Sequence, residues 1–209
     1  MGKSIWQSAL ESRLEEIKEN NERPSLLLHS CCGPCSSYVL TYLREYFDIT
    51  VYYYDPNIYP QKEYEKRLSE QKRLIDEMNK AEPDAPDIIL EEGVWDHDVF
   101  LEAARGFEDA PEGGKRCEKC FRLRLESTAE LARSKGFDYF ATTLTVSPHK
   151  NAVVINEIGG QCAKDEQTRW LASDFKKRDG YKQSIELSKK YGLYRQDYCG
   201  CEFSMHDDN

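Results

Sequence analysis

With 209 residues, of which 39% are hydrophobic, 11% aromatic and 32% charged, the chain is long enough for one sizeable core and short for two full domains. Short apolar runs spread along it exclude a disordered polyelectrolyte, and none reaches the roughly 18 apolar residues of a membrane span. Met1 to Asn20 is charged and amphipathic, without the apolar stretch of an export signal; the expectation is a cytoplasmic single domain over 1–209 with no membrane partner.

Ile5, Trp6, Leu10, Leu14 and Ile17 predict an amphipathic helix closed before Pro24, a peripheral element of residues 1–24. SLLLHS at 25–30 follows as a short buried strand, then a helix over 36–46, a strand ITVYYY at 49–54 and a helix over 61–80. Tyr64, Leu68, Ile75 and Met78 share one face of that last helix. DIIL at 87–90 reads as a strand, 96–105 as a helix, CEKCFRLRLESTAELARSKG as a helix ending at Gly136, DYFATTLTV at 138–146 as a strand, and RWLASDF as a further strand. This βα alternation predicts an α/β fold: a mainly parallel sheet with helices on both faces. Ligand sites in such sheets lie beyond the carboxyl ends of the strands. Cys31, Cys32 and Cys35 fall there after the first strand, and Ser147, Pro148, His149 and Lys150 after the 138–146 strand, so the two groups are expected to face one crevice.

The net charge is −9, from 38 acidic and 29 basic residues. Residues 164–195 hold nine Lys/Arg against five Asp/Glu, so that segment is +4 and the remainder −13. Its consecutive Lys176, Lys177 and Arg178 suit a phosphate-backbone partner, with at least two projecting into solvent near a strand end; a merely solvated face is the alternative.

Eight cysteines without an export signal point to metal or redox chemistry, because cytosolic thiols are kept reduced, and no disulfide-linked partner is expected. Seven fall in three groups, and only Cys162 stands alone. HSCCGPCSS places Cys31, Cys32 and Cys35 at a strand-to-helix turn, where helix-start N–H groups favour thiolate. Cys32-Gly33-Pro34-Cys35 has a thioredoxin-like form, but that fold would leave the other groups without a task. RCEKC adds Cys117 and Cys120. Zinc held by Cys32/Cys35 and Cys117/Cys120 is one reading; 81 residues lie between Cys35 and Cys117, against roughly 15–20 in a zinc ribbon. Cys31, Cys32, Cys117 and Cys120 are alternatively the four thiolates that a [4Fe–4S] cluster takes. YCGC ends the series: Cys199 and Cys201 can bond to each other in a small strained ring, with Gly200 supplying backbone freedom, or serve as surface thiols or extra ligands.

HSCCGPC, YYYDPNIYPQKEYEKR, GKRCEKCFRLRLESTA, FDYFATTLTVSPHKN and DFKKRDGYKQSIELSKKYGLYRQDYCGC together resemble the QueH family of epoxyqueuosine reductases, over about 25–201. The resemblance implies an oxidoreductase that turns epoxyqueuosine into queuosine on tRNA, drawing on an electron donor the sequence does not identify. It implies a [4Fe–4S] cluster on Cys31, Cys32, Cys117 and Cys120, and a redox-active Cys199/Cys201 pair within a C-terminal segment, 164–209. One additional iron near Cys35 is a further implication. The implied fold resembles the adenine-nucleotide α-hydrolase and PP-loop (HUP-like) enzymes, with CCGPCS where those carry a phosphate loop. Removing the epoxide oxygen takes two electrons and two protons and releases water, and the candidate proton donors are His149, Tyr59 and Tyr198. A PP-loop tRNA sulfurtransferase and a zinc-stabilised RNA-binding module are the alternatives, and metal content separates all three.

Overall fold

The computed structural model describes residues 4–163 and 168–205. Residues 164–167, which begin the basic segment, and 206–209, at the end of the tail, lie outside the described residues. Helices α1 (Ile5–Glu19), α2 (Gly33–Leu43), α3 (Gln61–Ala81), α4 (His97–Ala104), α5 (Lys115–Lys135), α6 (Ala152–Cys162) and α7 (Gly180–Lys190) accompany strands β1 (Ser25–Ser30), β2 (Asp48–Tyr53), β3 (Ile89–Glu92), β4 (Tyr139–Thr142) and β5 (Arg169–Trp170). Every pairing is parallel, in the order β3-β2-β1-β4-β5. This is the α/β architecture the alternation predicts. Among the described residues no helix is long and apolar enough to cross a membrane.

β1 is central, and its side chains alternate between two cores as strand geometry requires. Leu26 and Leu28 join Val39, Leu43, Leu74 and Phe175 on one face, whereas Leu27 joins Phe121, Leu125, Ala129 and Ile155 on the other. Burial on both faces explains why SLLLHS reads as a continuous apolar run. Leu10, Leu14 and Ile17 of α1 lie in the first core, so the helix expected at the periphery is an integral part of that layer.

Several boundaries differ from the sequence expectation, and four of the differences have a local reason. α2 starts at Gly33, three residues early, because Pro34 occupies a first-turn position where its missing N–H costs nothing. β3 is shifted by two residues because the Asn79 side chain takes both the N–H and the carbonyl of Ile88. β4 stops at Thr142, whose Oγ1 accepts from the Leu144 N–H and turns the chain into a 3-10 segment, Thr143–Val146. RWLASDF pairs as a strand only at Arg169 and Trp170; beyond these, Asn156 takes the N–H and carbonyl of Ser173, and Thr145 Oγ1 takes the N–H of Phe175. α6 and α7, left unassigned by the periodicity, cover opposite faces.

Candidate active site

Chain order reverses between β1 and β4, which opens a crevice beyond the carboxyl ends of these neighbouring strands. Three cysteine groups meet there. Cys31 follows β1, Cys32 caps α2 and Cys35 sits in its first turn. The Cys31 and Cys32 sulfurs are 4.0 Å apart. The thiol of Cys31, helped by that of Cys35, holds Cys32 well below the ordinary thiol range in spite of burial, and the same cluster raises Cys35. Within the first group the charge is thereby favoured on Cys32 and disfavoured on Cys35.

α5 brings Cys117 and Cys120 from its first turns. Burial raises Cys117, whose sulfur accepts the Gly113 N–H at 3.2 Å, and pushes Cys120 up to about 12. Cys199 and Cys201 lie near enough to add to both shifts. Cys199 is half-buried and Cys201 buried, its thiol on Ser204 Oγ at 3.4 Å, and the seven cysteines of the three groups are free thiols. Cys162 packs into the α5–α6 layer.

Buried cations offset this sulfur. Arg124, 1% exposed, pairs with the fully buried Asp55 at 3.0 Å. Burial works against its charge, but Cys120, Asp55, Cys31 and Cys199 hold it above the usual range. Arg67, also 1% exposed, donates from Nε to Glu63 at 2.7 Å; Glu63 and the thiols of Cys32 and Cys31 likewise outweigh its burial. Half-buried Lys150 is also kept charged by Cys199, Cys31 and Cys35 against the cost of desolvation.

The C-x-C turn is docked on this frame. Arg67 Nη1 donates to the Cys199 carbonyl at 3.2 Å, the Tyr59 N–H donates to the Gly200 carbonyl at 2.8 Å, and the Tyr198 hydroxyl donates to the Tyr59 carbonyl at 2.8 Å. Gly200 has φ +123°, and a Cβ there would stand 3.0 Å from Arg67 Nη1 and 3.1 Å from Ile58 Cγ1. Gly200→Ala should therefore cost about 1–3 kcal/mol of stability and lower turnover without loss of iron, read from the denaturant midpoint and iron content.

A cavity of about 410 Å³ opens beside the turn, lined by Cys32, Cys35, Ser147, His149, Lys150, Tyr198 and Cys199, among others. That volume is within the roughly 300–1,000 Å³ of small-molecule sites. The structure thus brings the CCGPC and SPHK segments to one crevice, as their positions after β1 and β4 suggest. His149 is exposed at its wall. Tyr59 is not among the lining residues; its ring stands 5.0 Å from that of His97. Of the basic triplet, Lys176 folds back to donate to the Lys150 carbonyl at 3.1 Å and pairs with Asp174, Lys177 is half-buried, and Arg178 pairs with Glu11 at 2.9 Å. The expected projection of at least two from a strand end is thereby corrected: the segment before them is an irregular strip held by Asn156 and Thr145, and only Arg178 is exposed.

Four cysteine sulfurs from two turns, backed by buried guanidinium groups, have the donor chemistry of a thiolate-held iron–sulfur cluster. Among the described residues, Nη2 of Arg67, Nη2 of Arg124 and Oδ2 of Asp55 are buried without a hydrogen-bond partner, so polar capacity remains around the thiols for a charged group. No three His, Cys, Asp or Glu side chains among the described residues are gathered for a single metal ion. Lys150 entered only as part of the SPHK group, whereas Arg67 and Arg124 were not singled out by motif. Their signal lay in the helical stripe: Arg67 falls with Tyr64, Gln71 and Leu74, and Arg124 with Cys120, Phe121 and Thr128, on the buried faces of α3 and α5.

The family profile described as Epoxyqueuosine reductase QueH matches residues 26–207. Similar proteins of that description include one from Streptococcus pyogenes serotype M1, 43% identical over 187 residues, covering 90% of this chain and 72% of the relative. Another, from Staphylococcus epidermidis, is 40% identical over 201 residues, covering 95% and 84%, and one from Thermotoga maritima is 35% identical over 184 residues, covering 87% and 90%. The chain belongs to the epoxyqueuosine reductase QueH family, a family of oxidoreductases.

Proposed function

We propose that this protein reduces epoxyqueuosine to queuosine at the wobble position of tRNA, using a [4Fe–4S] cluster on Cys31, Cys32, Cys117 and Cys120 and a redox pair of Cys199 and Cys201. The observation that carries the reading is that Cys32, Cys35 and Cys199, remote in sequence, line one cavity at the switch point of the sheet, with Cys117 and Cys120 within electrostatic reach of Cys199 and Cys201. When bound, a cluster there supplies electrons one at a time and a Lewis-acidic iron.

The protein's own groups account for the rest of the chemistry. Formation of the Cys199–Cys201 disulfide releases two electrons and two protons, and epoxide plus dithiol gives alkene, disulfide and water with atoms and charge balanced. An external donor then returns the pair to the dithiol. The Lys150 ammonium, on the cavity wall beside Cys199, stabilises negative charge developing on the departing oxygen. His149 is the proton donor best placed at that wall, because the Tyr198 hydroxyl is committed to a carbonyl and the Tyr59 ring lies against His97. Cys35 stands in the first thiol group and is the candidate thiol for an additional iron.

Incubating reduced, iron-loaded protein with tRNA that carries epoxyqueuosine, then digesting it for nucleoside mass spectrometry, tests substrate and reaction together. Queuosine should replace epoxyqueuosine; an unchanged epoxide with a demonstrably loaded protein rejects the reading.

The tRNA backbone is placed over the Lys176–Arg178 turn, which adjoins the cavity through the Lys176–Lys150 contact. The Arg178–Glu11 pair is partly exposed, and such pairs contribute little, so Arg178 can exchange Glu11 for a phosphate. Alanine at 176, 177 and 178 should weaken tRNA binding and flatten its salt dependence by roughly 0.7–0.9 in log–log slope per lost phosphate contact. An unchanged slope moves the tRNA surface elsewhere.

A further inference from the structure

We infer that the ring of Tyr198 is the platform on which the modified nucleobase stacks, an assignment that rests on the reductase reading above. Tyr198 borders the cavity together with Cys199, the next residue in the chain. The Arg67 guanidinium carbon lies 5.2 Å from its ring centre, and its hydroxyl is tied to the Tyr59 carbonyl at 2.8 Å. Arg67 is held in turn by Glu63 and by the Cys199 carbonyl. The ring is thus fixed at its edge and against a buried cation, while it still contributes to the cavity wall.

A rigid aromatic at the wall of a polar cavity suits a nucleobase, since every base offers a π-face and a tyrosine loses little freedom on binding. A base must leave its stack to reach thiols set in a crevice. Stacking on Tyr198 captures it there and brings its substituent beside Cys199. The bond from the hydroxyl to the Tyr59 carbonyl assigns Tyr198 to binding rather than proton transfer.

The test compares iron-loaded wild type, Y198L, Y198F and Y198W in steady-state reduction and equilibrium binding of epoxyqueuosine-bearing tRNA, with iron content and melting temperature measured in parallel. Y198L should raise Kd and KM by about 5- to 100-fold, in line with the cost of losing a base–aromatic stack, with kcat and iron content close to wild type. Y198F and Y198W, which keep a π-face, should rescue binding. A Y198L protein with wild-type Kd and KM overturns the assignment, as does a Y198F protein that keeps KM but loses kcat, because the hydroxyl would then be the reacting group. Loss of iron or early melting in Y198L, unrescued by Y198F and Y198W, also overturns it by making the ring a structural brace. If wild type forms no queuosine yet Y198L still weakens binding, the reductase reading fails while the stacking platform stands.

Discussion

Single serine replacements of Cys31, Cys32, Cys117 and Cys120 should each strip the anaerobically purified protein of most of its iron and sulfide, from about four irons per chain to a small residue. A hydroxyl cannot replace a thiolate as a soft ligand; the spare thiols nearby are Cys35 beside Cys31 and Cys32, and Cys199 and Cys201 near Cys117 and Cys120. Cys120→Ser also buries a hydroxyl at a residue that is 8% exposed, which adds about 1–3 kcal/mol of destabilisation if it finds no partner. Wild-type iron and sulfide in all four variants would contradict the ligand set.

Cys199→Ser and Cys201→Ser should behave in the opposite way: iron and absorbance intact, turnover reduced by about 10³-fold or more, as when a group acting in the reaction itself is lost. The structure sharpens this expectation. Arg67, Tyr59 and Tyr198 hold the turn through backbone and hydroxyl contacts that neither thiol makes, and a serine hydroxyl at 201 can keep the bond to Ser204 Oγ, so serine leaves the turn in place and removes its redox chemistry. Iron loss in either variant would instead make these cysteines ligands.

Much of the architecture was legible because it is written in local periodicity. SLLLHS is a continuous apolar run because both its faces are covered, and the cysteine groups sit at strand and helix ends that the alternation marks out. What escaped was tertiary. Nothing in DIIL shows that Asn79 will take the backbone groups of Ile88, nor does RWLASDF reveal that Asn156 and Thr145 will replace a strand partner. Charge was misleading for the same reason. Arg67 and Arg124 look like members of solvated helical charge runs, but each falls on a buried stripe and meets thiols contributed by distant segments. Conversely, Lys176 looks free in a run of three cations and is folded onto Lys150. The C-x-C pair was legible as a redox motif, whereas its docking depends on Tyr59 and Arg67, over 130 residues earlier.

The most direct measurement is a single turnover without an external donor. Protein loaded with iron, reduced at Cys199 and Cys201 and freed of reductant is mixed with a slight excess of epoxyqueuosine-bearing tRNA, and queuosine and the Cys199–Cys201 disulfide are quantified by mass spectrometry in the same samples. The account predicts that the two appear together, one disulfide per queuosine, and that formation stops when the dithiol is spent. Queuosine formed while Cys199 and Cys201 remain free thiols would contradict it.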